Sequence, residues 1–179
     1  MDLSAMTIRP TTEEDWKILK TIRLAALQES PAAFGQSHVT AAAYSEQQWR
    51  EHASDRTQPE FILALEQGQA VGLIGTVLRP TLEFNLIAMW VQPAFRGAGI
   101  ADGLVAAVKA RAIEKGQRRI VLSVSPDNVR AANFYRRHGF TFLPEWEPMA
   151  SHPGVKAQIM EWHAGNKSEF ACKGTIPSL

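Results

Sequence analysis

Cysteine is nearly absent: Cys172 is the one thiol in 179 residues. No internal disulfide can form, and no second thiol completes a redox pair. An excess of either charge is absent too, with 19 Lys and Arg against 18 Asp and Glu and a net charge of +1. Without a basic surplus there is no general electrostatic case for nucleic acid or for an anionic membrane, and neither is expected as a partner. No apolar run is long enough to span a bilayer. The opening Met1-Asp2-Leu3-Ser4-Ala5 lacks the basic and apolar regions of a signal peptide, which predicts a cytoplasmic protein. The five histidines, among them His38, His52 and His138, show no metal-ligand spacing, so no metal is expected. Internal repeats and low-complexity segments are also lacking.

What is there suits a soluble globular chain. Hydrophobic residues make up 45% and charged residues 21%, and the length is enough for one domain with its own core. A single domain over residues 1–164 is predicted. Residues 165–179 are polar with Gly and Pro and read as a C-terminal tail.

The most informative stretch runs from Trp90 to Leu104. Residues 84–91 are mostly apolar, as in a strand buried on both faces. Pro93 cannot donate to a ladder and should end the strand. Beyond the loop, Ile100, Leu104, Val105, Val108, Ala112 and Ile113 recur at helical spacing. Gly97 and Gly99 stand just before that helix. Without side chains there, consecutive N–H groups can face a ligand, and the helix dipole adds positive potential at the same spot. The physical reading is a pocket for a phosphate-bearing ligand. A plain strand–helix turn with two glycines is the alternative that the loop alone leaves open.

Elsewhere the chain alternates strands and helices. Residues 6–9 read as a strand closed by Pro10. Thr11 or Thr12 can cap a helix whose first turn holds Glu13, Glu14 and Asp15, and Ser30-Pro31 ends it. Phe34 beside Gly35 then falls in a loop, where it lines a ligand cleft or packs beneath the loop. Residues 45–52 form a helix with Ser45 as N-cap and Gln48 three positions on. Runs at 61–65, 70–78 and 84–91 read as three strands of a meander. Residues 120–124 follow a strand–helix unit, so a right-handed crossover makes them parallel to the strand before. Asn128 then caps a helix running to His138, Gly139 ends it, and strands follow from Phe140 and over 155–162.

Two motifs now stand in order. The first is Arg96-Gly97-Ala98-Gly99-Ile100-Ala101 after a strand ending Met89-Trp90-Val91-Gln92-Pro93. The second is Asn128-Val129-Arg130-Ala131-Ala132-Asn133-Phe134-Tyr135-Arg136-Arg137-His138-Gly139-Phe140. Together they resemble the GNAT acyltransferase superfamily, whose acyl-CoA pyrophosphate loop reads Gln/Arg-x-x-Gly-x-Gly/Ala and whose later helix and turn read Asn-x-x-Ala-x-x-x-Tyr-x-x-x-Gly-Phe. The resemblance spans residues 7–162.

The resemblance implies an α/β (α+β) fold. Its central sheet is mixed and mostly antiparallel, with helices on both faces, and strands four and five run parallel but splay apart. Acetyl-CoA would be the cosubstrate. Its pantetheine arm would pair with backbone from Met89, Trp90 and Val91, and its pyrophosphate would sit on Arg96, Gly97, Ala98, Gly99, Ile100 and Ala101. Asn128 would contact it from the end of strand five, while also serving as an N-cap. Tyr135 would be the general acid for the departing thiolate; a phenol near pKa 10 stays protonated at neutral pH. Its structural alternative is a buried helix tyrosine. A strand-four N–H near Trp90 or Val91 is the candidate oxyanion donor. Glu83 is a candidate general base, or a solvated hairpin carboxylate. Phe34, Trp49 and Trp90 could wall the acceptor side, with Phe34 and Trp90 touching substrate, although core packing also explains Trp49.

The expected function is transfer of acetyl from acetyl-CoA to a primary amine on a small molecule or peptide, in a ternary complex. Family members often form homodimers through their C-terminal strands, so a homodimer is admitted here. A non-catalytic acyl-CoA sensor is the rival, and Tyr135 argues against it. A dinucleotide-type regulator would need a ribose-binding carboxylate on the next strand, and residues 120–124 contain none.

Overall fold

The apolar runs of the first half pair in the order in which they occur. In a computed structural model, which describes residues 6–149 and 152–165, β1 (Met6–Pro10), β2 (Glu60–Glu66), β3 (Gln69–Leu78) and β4 (Phe84–Val91) are consecutive antiparallel neighbours. Between β1 and β2 lie α1 (Trp16–Glu29), α2 (His38–Ala42) and α3 (Glu46–Ala53). Then α4 (Ile100–Glu114) crosses over to β5 (Arg119–Val124), which runs parallel to β4. After α5 (Val129–Arg137), β6 (Thr141–Met149) and β7 (His152–His163) complete a seven-stranded sheet in the order β1-β2-β3-β4-β5-β7-β6.

The inner strands β2, β3 and β4 are buried on both faces, and their residues feed two cores. On one side Ile62, Ala64, Val71, Ile74 and Val91 meet Leu104, Val105 and Val108 of α4 and Tyr135 of α5. On the other, Phe61, Leu63, Leu65, Leu73 and Trp90 meet Leu19, Ile22 and Leu27 of α1 and Trp49 of α3. Leu19, Leu63 and Leu104 are fully buried. Truncating any one to Ala should cost about 2–5 kcal/mol through lost transfer energy and the cavity left behind. Gly103 lets α4 approach β1, since a Cβ there would lie 2.5 Å from the Cδ1 of Ile8.

Local chemistry sets the helix ends. The Gln48 amide donates to Ser45 Oγ at 3.2 Å and the Ser45 amide donates to Gln48 Oε1 at 2.9 Å, a reciprocal cap on α3. Arg9 donates to both oxygens of Asp15, at 2.7 and 2.9 Å, and so ties β1 to the turn before α1.

Three features go beyond the sequence expectations. One turn of helix, α2, stands in a stretch to which the sequence reading assigns no element; Ser37 Oγ accepts from the Thr40 amide at 3.1 Å and so caps it. The strand β6 carries Pro144 and Pro148, because it is an edge strand and Pro144 falls where its register with β7 shifts. The strand β4 is not regular: Ala88 and Met89 stand opposite the single Ile74, and Ala88 has φ 55°. Even so, Trp90 packs on the α1 and α3 side while Met89 and Val91 pack on the α4 and α5 side. The predicted tail from residue 166 onward, with Cys172, lies outside the described residues.

Candidate active site

The parallel pairing of β4 with β5 is confined to the start of both strands. The register holds one pair, Asn85 opposite Val121. Beyond it the strands part, so β4 from Leu86 to Val91 has β3 on one side and no registered strand on the other. The bulge at Ala88 lies in this stretch and re-aims its backbone groups.

At the end of β4 the chain makes one 3-10 turn, Pro93–Phe95, and enters α4 through the glycine loop. Gly97 has φ 83° and Gly99 has φ 80°, conformations that L side chains rarely adopt. A Cβ at either position would meet nothing within 4 Å, so the protein itself leaves that side open. Gly99 is the N-cap of α4 and offers no side-chain acceptor. The first-turn N–H groups of this 15-residue helix therefore keep their donor capacity for something else. Ile100 is buried beneath the loop and anchors it to the core.

Loop and strand are braced from behind. The Arg96 Nε donates to the Val91 carbonyl at 3.0 Å, and its Nη2 reaches both Glu29 oxygens, at 3.2 and 3.1 Å. The Trp90 indole donates to the same carboxylate at 2.9 Å. Ser30, Trp90 and Arg96, in that order of effect, hold the Glu29 carboxyl down to about 2. The Arg96 side chain is thus engaged with protein, and its loop neighbours present backbone.

Tyr135 projects from α5 toward β4 and is 7% exposed. Its ring meets Phe134 and Phe140 edge-on, with centroids 5.3 and 5.6 Å away. Its hydroxyl lies 3.9 Å from the Met89 sulfur, a weak acceptor. Burial pushes the phenol above its ordinary value, so the proton stays on Oη across the neutral range. Asn128 caps the same helix, with Oδ1 accepting from the Ala131 amide at 3.2 Å.

A cleft of about 590 Å³ opens on the α1 side of the sheet. Phe34, Tyr44 and Trp49 form its aromatic wall, Leu86, Ile87 and Ala88 its β4 floor, and Arg23 and His52 its polar end. Phe34 lines it while being buried, under the Arg23 guanidinium at 5.0 Å. Trp90 and Tyr135 are not among its lining residues. Glu83 lines a separate hollow of about 210 Å³ with Leu82 and Arg119. There its carboxylate accepts from Asn85 Nδ2 at 3.0 Å and faces Arg79 at 3.8 Å and Arg119 at 3.6 Å. Sequence reasoning missed Arg23, Gln36, Tyr44 and His52 as cleft residues. For Arg23 a signal existed: it occupies the apolar stripe of α1 at 19, 22, 23, 26 and 27.

Among the described residues no cluster of three or more His, Cys, Asp or Glu could hold a metal ion, and no helix is long and apolar enough to cross a membrane.

Comparison with known proteins agrees with this architecture. The profile of the acetyltransferase (GNAT) family matches residues 22–140. Uncharacterized N-acetyltransferases from Mycobacterium tuberculosis and Mycobacterium bovis are 27% identical over 113 residues, covering 62% of this chain and 72% of theirs. The acetyltransferase of GNAT family from Streptococcus pneumoniae superposes with a TM-score of 0.71 at 17% identity, over 89% of this chain and 99% of that one. An acetyltransferase from Salmonella typhimurium, solved with its cofactor acetyl-CoA, gives 0.70 at 18% identity over 98% and 99%. Ribosomal-protein-alanine N-acetyltransferase from Brucella melitensis gives 0.69 at 21% identity over 88% and 99%. With a family match over most of its length, a parting of β4 from β5 and a glycine loop opening α4, the chain belongs to the acetyltransferase (GNAT) family.

Proposed function

We propose that residues 1–164 form an N-acetyltransferase that moves acetyl from acetyl-CoA directly to a primary amine while both are bound. The observation that carries this reading is the Tyr135 hydroxyl. It is buried and protonated, its partner among the described residues is a thioether, and it stands beside the open side of β4. A residue serving packing alone would gain little from a hydroxyl whose partner is so weak an acceptor. The names of the mycobacterial and Brucella relatives support nitrogen as the accepting atom.

The residues present fit acetyl-CoA. Gly97 and Gly99 leave a cradle that a Cβ would fill, and the α4 N-terminus has donors to spare. Arg96, Gly97, Ala98, Gly99, Ile100 and Ala101 would hold the pyrophosphate, chiefly through backbone N–H groups. Backbone of Met89, Trp90 and Val91 would hold the pantetheine arm as an added strand would be held. Asn128 keeps an amide nitrogen for the same ligand while its oxygen caps α5. When bound, acetyl-CoA supplies an activated thioester.

The chain's own residues then manage protons and charge. Tyr135 holds a proton on Oη and releases it to the thiolate, regaining one from solvent. A β4 N–H near Trp90 or Val91 donates to the carbonyl oxygen of the acyl group. The amine must lose a proton, and two groups are candidates to take it. Glu83 stands just before β4. His52 lies in the cleft and is held neutral, its pKa lowered chiefly by burial.

Thiol release from acetyl-CoA by purified protein, against a panel of primary amines, tests the reading. Amine-dependent release supports it. Saturable acetyl-CoA binding with no release for any amine would leave a non-catalytic acyl-CoA sensor instead.

A further inference from the structure

Two buried donors in the cleft lack a protein acceptor. Among the described residues, Arg23 Nη1 and Trp49 Nε1 are the buried side-chain polar atoms with no hydrogen-bond partner. Both residues line the same cleft. Arg23 is 7% exposed and Trp49 is 2% exposed. Native interiors seldom leave such groups unmet, because each buried donor without a partner costs about 1–3 kcal/mol, and more when charged.

Arg23 is the sharper anomaly. Its Nη2 reaches Gln36 Oε1 at 3.3 Å, and its guanidinium lies over the Phe34 ring at 5.0 Å. No carboxylate among the described residues pairs with it; Tyr44 acts against the lowering by burial. Burial lowers it to about 10, which still leaves it charged at neutral pH. The groups around it are donors or neutral. Tyr44 packs edge-on to Trp49 at 5.6 Å and stacks on His52 at 5.1 Å. His52 is held down chiefly by its own burial, with Glu51 raising it and the Arg23 charge lowering it further. Arg79 also lines the cleft but is half exposed and faces Glu83 at 3.8 Å. Glu147 lines it from β6, opposite Ala157.

We infer that Arg23 and Trp49 seat a carboxylate of the acceptor, so that the amine acetylated here is amino-acid-like, with a carboxylate at one end and an apolar body. This rests on the N-acetyltransferase reading above and narrows its substrate class. A carboxylate brings acceptors only, and the two unmet atoms, Arg23 Nη1 and Trp49 Nε1, are donors only. A guanidinium is well matched to it, and a charge-assisted pair is strongest where water is excluded. The walls beyond, Phe34, Phe61 and Leu86, suit an apolar body. The cleft, at about 590 Å³, is of a size that holds small molecules. The floor at Ile87 and Ala88 runs from this cleft along β4, and in an α-amino acid the amine, one carbon from the seated carboxylate, is the group to be turned toward the parting of β4 from β5.

The test uses N-acetyl derivatives of L-phenylalanine, L-leucine and L-methionine, each with its neutral carboxamide, titrated calorimetrically into the full chain. For the best of the three the carboxylate should bind at least about tenfold more tightly than the amide. Arg23→Met should abolish that preference and leave amide binding unchanged. Removing an uncompensated buried charge should also leave the unliganded variant at least as heat-stable as the wild type. Trp49→Phe keeps a ring and removes the N–H, and should weaken carboxylate binding by roughly threefold to tenfold with the amide unaffected. Equal binding of acids and amides by the wild type, a preference that survives Arg23→Met, or stronger binding of phosphoethanolamine than of any carboxylate would each overturn the inference. The free amino acids and their amides then serve as acceptors. Turnover that ignores the carboxylate counts against this inference and leaves N-acetyl transfer standing. Arg23-dependent carboxylate binding with no transfer to any amine does the reverse.

Discussion

The Trp90 indole N–H donates to the Glu29 carboxylate at 2.9 Å, so the end of β4 is tied to the last residue of α1. Arg96 reaches the same carboxylate from the glycine loop. One acidic side chain therefore fixes the strand and the loop that follows it.

That arrangement predicts an acid-sensitive brace. The folded pKa of Glu29, about 2, is below the ordinary value near 4.3. Its contribution is complete above about pH 4.3 and is lost as pH falls through 2. Glu29→Gln should cost at most about 1 kcal/mol at neutral pH, because the pair is partly exposed. The Tm should drop by about 2–4 °C or less. The gap between variant and wild type should shrink below about pH 4 and close toward about pH 2. Calorimetric scans at pH 7, 4 and 2.5 decide it; a gap that widens toward low pH would contradict the sign.

Gly99→Val tests the loop. At φ 80° a β-branched residue is strained, by about 1–2 kcal/mol, although nothing in the protein stands in its way. The side chain would occupy the open side, so acetyl-CoA affinity should fall at least about tenfold, or about 1.4 kcal/mol. Titration calorimetry reads it directly. An unchanged affinity in a folded variant would take the loop out of the site.

Tyr135→Phe tests the chemistry. The ring and its contacts with Phe134 and Phe140 stay, and only a 3.9 Å contact with a thioether is lost. Stability and acetyl-CoA affinity should hold, while kcat falls at least about tenfold, within the range typical of general acids even with water substituting. Equal kcat in both proteins would make the hydroxyl a packing feature.

The amine's proton separates Glu83 from His52. In Glu83→Gln and His52→Gln, the variant that loses the acidic limb of the kcat/KM profile identifies the base. Because burial lowers its pKa, a His52 limb should lie below pH 6.5. If both variants keep limb and height, water takes the proton.

Much of the fold was legible because its signals are local. The unbroken apolar run Phe61, Ile62, Leu63, Ala64 and Leu65 marks a strand with two buried faces, and the observed β2 feeds both cores. Gly97 and Gly99 read as a side-chain-free loop before a helix, and both take positive φ. Ser45 and Gln48 write out their own cap. What stayed hidden depends on distant partners. Nothing in Ile87-Ala88-Met89 announces a bulge, since alanine carries no mark of a left-handed conformation. Glu29 reads as an exposed helix residue, and its partners lie 61 and 67 positions away. Trp49 could be placed on an inner helix face, but an unmet indole N–H appears only when every neighbour is in place.

The parting of β4 from β5 has a mechanical side. Hydrogen bonds stiffen a sheet across its strands, and here that stiffness is interrupted in the middle: β1 to β4 form one panel, and β5, β7 and β6 another, joined at Asn85 and Val121 and spanned by α4. Across that seam the panels are held by core packing and one strand pair rather than by a ladder. Amides of β4 that face the gap should exchange with deuterium faster than those facing β3. A linear molecule laid in the gap would bond to the β4 panel and act as a splint. At a concentration one hundred times its Kd it should add about 2.7 kcal/mol to the stability of the whole, with the slowed exchange concentrated along that seam.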